Sequence, residues 1–224
     1  MWHNYFYQIQ QKYSMRVSLN KPLVIRLDGK NATKSRTNDF IFNYSGSFIN
    51  ALEETAKYFT KKYKCYSLFG SDEISFILPE PEKLLKDLDK DCDTHSNEVI
   101  SLFSQYFYDY FNNNYKKEKI FWHAKCFSIP ENKDISYLKY RSRTIENVLT
   151  TYFLIINDKF RSGKYNLEQK LNKCKKCIDY PSLKNIKNGI LYYDGKRISL
   201  NAYCSNRTIQ KDSIDIDDLF DLEA

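Results

Sequence analysis

Two short segments of the chain set acids beside glycine: Arg26-Leu27-Asp28-Gly29-Lys30 and Gly70-Ser71-Asp72-Glu73. Carboxylates brought close together repel one another, and a divalent cation relieves that repulsion. Hard oxygen donors, in a chain with only 3 histidines, favour Mg2+ over zinc. A pair of such ions would activate an attacking oxygen, stabilise a leaving one and hold a triphosphate. Gly29 has no Cβ to keep its carbonyl from a metal, and Ser71 with the turn amides offers donors to phosphate oxygens. The same residue types are also ordinary turn formers. Spacing alone leaves both readings open.

The elements that must position these acids can be read from hydrophobic patterning. Pro22–Leu27 is an apolar run that predicts a buried strand ending in an Asp28-Gly29 turn. Ser47 is placed to cap a helix whose Phe48, Leu52, Thr55, Ala56 and Phe59 share a face. Cys65–Phe69 and Ile74–Leu78 read as two strands joined by a tight turn at Gly70-Ser71-Asp72-Glu73, with Pro79 and Pro81 ending the second. A second helix is predicted over about 96–112, its apolar side formed by Val99, Leu102, Phe103, Tyr106, Phe107 and Tyr110. Ile120–Ile129 alternates as a fourth strand and stops at Pro130.

That order is strand, helix, strand, strand, helix, strand. It predicts an α+β fold of the ferredoxin-like, split βαβ type, an antiparallel sheet with helices on one face, as also found in polymerase palms. In such a fold strands one and two run parallel and strand three returns between them. Asp28 and Asp72-Glu73 would therefore meet at one sheet edge. From Asp134 a long helix should pack beside the unit. The expected division is a catalytic domain over 1–158 and an extension over 159–224 packed on it, with a short helix, a hairpin turning at Asp194-Gly195 and an acidic tail.

Charge adds a second theme. The chain carries 35 basic and 28 acidic residues, a formal net charge of +7, yet Asp212–Ala224 holds six acids and no base. Lys159–Lys211 holds thirteen bases against three acids, interleaved with Tyr165, Tyr180, Tyr192, Tyr193 and Tyr203. This is a footprint for nucleic acid or, equally, a solvated lysine-rich face. No apolar run is long enough to span a membrane and the first residues carry no signal-peptide pattern, so a cytoplasmic protein with no membrane partner is expected. The six cysteines are irregularly spaced, so structural disulfides are not expected. Cys174-Lys-Lys-Cys177 has zinc-ligand spacing, but no second pair answers it, and reduced thiols are the expectation.

Ile25-Arg26-Leu27-Asp28-Gly29-Lys30 and Phe69-Gly70-Ser71-Asp72-Glu73-Ile74-Ser75-Phe76 resemble the two signature motifs of the tRNA-His guanylyltransferase family, R-x-D-G-[KR] and G-x-S-D-E-Y-S-F, the second shortened here by one residue. The similarity extends through Trp122-His123-Ala124-Lys125-Cys126, near the family's F-D-x-R strand. It continues into Tyr137-Leu138-Lys139-Tyr140-Arg141, near Y-L-S-W-R, so that it covers roughly 20–145. The family comprises reverse polymerases, which add nucleotides in the 3′-to-5′ direction to a tRNA 5′ end on a palm-like fold. The resemblance implies two Mg2+ ions held by Asp28, Asp72 and the Gly29 carbonyl, with Glu73 as a third catalytic acid. It implies Lys30, Asn31, Thr33 and Ser71 as nucleotide contacts, and Arg26, His123, Lys125 and Arg141 as phosphate or RNA contacts. GTP and ATP would be substrates, the 5′ end of tRNA or another RNA the acceptor, and a homo-oligomer, a tetramer in the family, the assembly.

Some family positions differ. A histidine after D-G-[KR] is Thr33 here, F-D-x-R has become Trp122-His123-Ala124-Lys125, and the H-I-N-N-L-Y-N signature after Arg141 reads Arg143-Thr-Ile-Glu-Asn-Val-Leu-Thr. That signature serves the polynucleotide side of the site. A diverged relative acting on RNA 5′ ends is therefore one reading. A palm-type cyclase or oligonucleotide synthase without an RNA acceptor, and a catalytically idle RNA- or nucleotide-binding module, are the others.

Overall fold

Leu23–Gly29 forms the first strand, β1, in a computed structural model that describes residues 6, 8, 17–18, 21–29, 40–41, 47–89, 96–115, 120–157, 165–200 and 203. The strand continues through the predicted turn. Asp28 and Gly29 stay extended because β1 is paired on both sides, Asp28 opposite Glu73 on one neighbour and opposite His123 on the other. Asp28 is therefore a strand residue rather than the first residue after one.

Helix α1 (Ser47–Tyr63) follows, burying Phe48, Leu52, Thr55, Ala56 and Phe59 along the stripe that the sequence marks. Ser47 opens this helix; its side chain lies outside the described residues. Next come β2 (Tyr66–Gly70), β3 (Glu73–Leu78) and a short helix α2 (Glu82–Asp87), an element beyond those the patterning predicts. Leu84 and Leu85 tie α2 to the core. Helix α3 (Ser96–Asn114) buries Val99, Phe103, Phe107 and Phe111 at every fourth residue, a narrower stripe than expected, with Tyr106 left 48% exposed. Strand β4 (Trp122–Ser128), the long helix α4 (Asp134–Ile156), helices α5 (Leu167–Cys174) and α6 (Tyr180–Lys184), and the hairpin β5 (Ile190–Tyr193) and β6 (Lys196–Ile198) complete the described elements.

All strand pairs are antiparallel, in the order β4-β1-β3-β2-β5-β6. The first four strands have the split βαβ arrangement, with β3 between β1 and β2. The last two extend the same sheet from β2. Every residue of β2 and β3 is buried, as befits strands paired on both edges and covered on both faces. The β5–β6 turn is Asp194-Gly195 at φ of 48° and 74°, positive at both positions as the tightest hairpins require.

Directly opposed residues share a sheet face, which separates two layers. Phe76, opposite Ile25, meets Phe59 of α1 and Phe103 of α3 at ring-centroid distances of 5.5 and 5.4 Å. Trp122 packs its ring against Phe107 of α3 at 5.0 Å on this same face. The long helix α4 lies across the opposite face. Its Tyr137 meets Phe127 of β4 at 5.7 Å, and its Ile145 lies so close to Gly70 that a Cβ there would stand 2.5 Å from Ile145 Cγ2. Glycine at position 70 is what lets helix and strand approach. Among the described residues, no helix is long and apolar enough to cross a membrane.

Candidate active site

Val24, Arg26 and Asp28 alternate onto the α4 side of β1, and Asp28 stands directly opposite Glu73 of β3. Beyond the last strand pair the Gly29 amide donates to the Asp72 carbonyl at 2.8 Å. One backbone hydrogen bond thus links the two glycine–acid segments. The β2–β3 turn consists of Ser71 and Asp72 alone, with Ser71 at φ 61°. A two-residue hairpin needs positive φ at its first central position, and a serine occupies it here at some conformational cost. The Ser71 hydroxyl donates to Asp72 Oδ1 at 3.0 Å, and both residues are buried.

The charges are shared unevenly. Arg26 Nη2 lies 2.7 Å from Asp28 Oδ2 and 3.0 Å from Glu73 Oε2, bridging neighbouring strands. Arg141, from α4, donates to the same Glu73 oxygen. Glu73 Oε1 is buried with no hydrogen-bond partner. The Asp28 side chain is 40% exposed, while those of Glu73 and Arg141 are 12% and 3% exposed. Burial raises the Asp28 pKa above its ordinary value, Arg26 draws it down, and repulsion from Asp72 and Glu73 adds to the rise. For Arg141, burial opposes the charge, attraction to Glu73 outweighs it, and the guanidinium stays protonated. Among the described residues, three acids and two arginines thus meet at this end of the sheet.

An oxygen-preferring divalent cation fits this set. The orphaned Glu73 Oε1 and the mutual repulsion of the acids both call for positive charge, and the donors are hard oxygens. Among the described residues no group of three acidic, histidine or cysteine side chains is placed to hold an ion by itself.

His123 and Lys125 stand opposite Asp28 and Arg26 on β4, both exposed along the sheet edge beside the acids. Arg141 is different. It was expected at phosphate or RNA and is instead buried on Glu73, because α4 crosses this face. The helical spacing of Tyr137, Arg141 and Ile145 marks one inward stripe, a signal present in the sequence. What it covers was set by the crossover of α4 to the far side of the sheet. Lys30, Asn31 and Thr33 lie outside the described residues, as do Cys92 and Cys204. Cys174 is buried with its thiol directed at the Thr150 carbonyl, and Cys177 is directed at the Lys173 carbonyl.

The sequence model of a family described as tRNAHis guanylyltransferase matches residues 3–130, more than half of the chain. A bacterial tRNA(His) guanylyltransferase-like protein solved in complex with GTP has a similar structure, with a TM-score of 0.58 at 14% identity, covering 93% of this chain and 97% of that one. The corresponding complex with ATP gives 0.57 at 15% identity with the same coverage. At such identity the likeness is one of fold. No curated protein sequence matches the chain. The matched span takes in β1 through β4 and ends before α4.

Proposed function

The chain belongs to the tRNAHis guanylyltransferase family, and from that membership we propose that it is a metal-dependent nucleotidyltransferase that adds nucleotides in the 3′-to-5′ direction to an RNA 5′ end. The observation that carries this reading is the join between the two signature segments, with Asp28 opposite Glu73 and the Gly29 amide on the Asp72 carbonyl. Asp28, Asp72 and the Gly29 carbonyl are the proposed ligands of two Mg2+ ions, and GTP and ATP the proposed substrates. When bound, the ions supply charge neutralisation for the triphosphate and lower the pKa of the attacking hydroxyl.

The protein's own residues do the positioning. Ser71 orients the Asp72 carboxylate through its hydroxyl hydrogen bond, so that one oxygen has a fixed direction. Lys30, Asn31 and Thr33 follow β1 directly in the chain and are the proposed triphosphate contacts. His123 and Lys125, exposed beside Asp28, are the proposed contacts for the RNA 5′ phosphate. Arg26 and Arg141 hold Glu73, whose role is thereby to keep α4 and the sheet in register at the site rather than to transfer a proton.

The burial of Arg141 favours a second reading, a palm-type enzyme that uses nucleoside triphosphate without an RNA acceptor, since one expected polynucleotide contact is withdrawn. Incubation with labelled nucleotides and Mg2+, with 5′-monophosphorylated or 5′-truncated tRNA or with no acceptor, separates the two. RNA-dependent incorporation, lost in Asp28→Ala and Asp72→Ala, supports the primary reading. Incorporation without RNA supports the second. RNA binding that is indifferent to both substitutions, with no incorporation, marks a catalytically idle module.

A further inference from the structure

A single nitrogen, Arg26 Nη2, donates to Asp28 Oδ2 at 2.7 Å and Glu73 Oε2 at 3.0 Å, taking the position a cation would take between two neighbouring carboxylates. The two acids are not equivalent partners. Glu73 has a second guanidinium, Arg141, on the same oxygen and is nearly closed to solvent. Asp28 is 40% exposed, and Arg26 is the one cationic side chain seen on it among the described residues. The Arg26–Asp28 contact is the shorter of the two, yet it is the more exposed to water, and the second guanidinium bonds Glu73 and not Asp28, so it is the contact more easily exchanged.

We propose that Arg26 is an internal competitor for the cation site: it caps Asp28, and a divalent cation binds Asp28 only as that contact is given up. Glu73 acts as the tether. With Arg26 still held on Glu73, the released guanidinium edge stays within the site. The arrangement lowers cation affinity in the absence of substrate and makes nucleotide and metal bind cooperatively, since phosphate offers Arg26 a replacement partner. This rests on the reading of Asp28 as a cation ligand.

Mn2+ titration of the full chain, read by the spectrum of the free ion and without nucleotide, tests it. Arg26→Met should bind Mn2+ about tenfold more tightly than wild type, the fold-change of removing one charge-assisted hydrogen bond. Arg26→Lys, which keeps the charge but cannot bridge both acids, should tighten binding by a smaller factor, and it decides the matter if the methionine variant does not fold. A residue that merely supported the site would give weaker binding on substitution. Unchanged or weaker Mn2+ binding in the folded Arg26 variants overturns the proposal. Asp28→Asn is the separate control: lost Mn2+ binding keeps the ligand reading standing whatever Arg26 does, and retained binding removes that reading and the competition with it.

Discussion

Arg141 of α4 and Glu73 of β3 form an ion pair across the interface between helix and sheet, with side chains 3% and 12% exposed. Breaking a buried pair from one side leaves an uncompensated charge. Arg141→Met should therefore lower unfolding free energy by about 3 kcal/mol, near the bottom of the usual range because Glu73 retains Arg26. Urea denaturation measures it. Combining it with Glu73→Gln should recover part of the loss, and a double variant worse than the sum of the singles would contradict the pairing.

Asp28→Asn and Asp72→Asn should each reduce nucleotide incorporation about a thousandfold, the rate equivalent of several kcal/mol of lost charge stabilisation. Circular dichroism should show both variants folded, since the exchange is close to isosteric. Activity surviving in either would remove that acid from the cation site.

Gly70→Ala should be destabilising by about 1–3 kcal/mol, because its Cβ would stand 2.5 Å from Ile145 Cγ2 and force the helix away from the strand. The cost should shrink in an Ile145→Ala background, where the clashing carbon is gone. A double-mutant cycle on thermal unfolding gives the coupling directly.

How much of this was legible beforehand differs by element. The β1 run, the α1 stripe at Phe48, Leu52, Ala56 and Phe59, and the Gly70–Glu73 hairpin follow from local pattern, and together they bring the acids to one place. Asp28 inside β1 was not legible, because a strand's length depends on neighbours, and His123 on β4 is nearly a hundred residues away. The side of the sheet taken by α4 was not legible either. An inward stripe at Tyr137, Arg141 and Ile145 says that something is covered, and only tertiary packing says that it is Glu73 and Gly70. The pairing of β5 with β2 left a hint in β2 itself, whose Tyr66, Leu68 and Phe69 suit a strand with no open edge.

The Cys174 thiol is pushed up to about 12, first by burial and then by the neighbouring Cys177. Iodoacetamide at pH 8 should therefore label Cys177 well before Cys174, as followed by peptide-resolved mass spectrometry. The linkage has a sign: the unfolded thiol ionises near its ordinary value of 9.0 and the folded one only near 12, so stability falls as pH rises through that interval. Cys174→Ala should flatten that fall.

Lys125→Ala should weaken RNA binding at all sequences alike and reduce the slope of log affinity against log salt by about 1, the signature of one lost phosphate contact. Filter binding at several salt concentrations reads it. An unchanged slope would leave Lys125 as a charge on β4, the terminal strand of the sheet among the described residues.

The hairpin bearing Ser71 and Asp72 is flanked on its outer side by β5, where Leu68 pairs with Leu191. During synthesis that partner is made more than a hundred residues later. A ribosome-bound chain would thus carry the first acid segment and the hairpin long before β2 gains its second neighbour, with an unpaired strand edge in the interval. Closing a loop of that length is a slow, late event in folding. Competence for catalysis would then be acquired only once β5 has been made, and a chain interrupted before residue 190 would be prone to associate through β2 instead of folding to an active form.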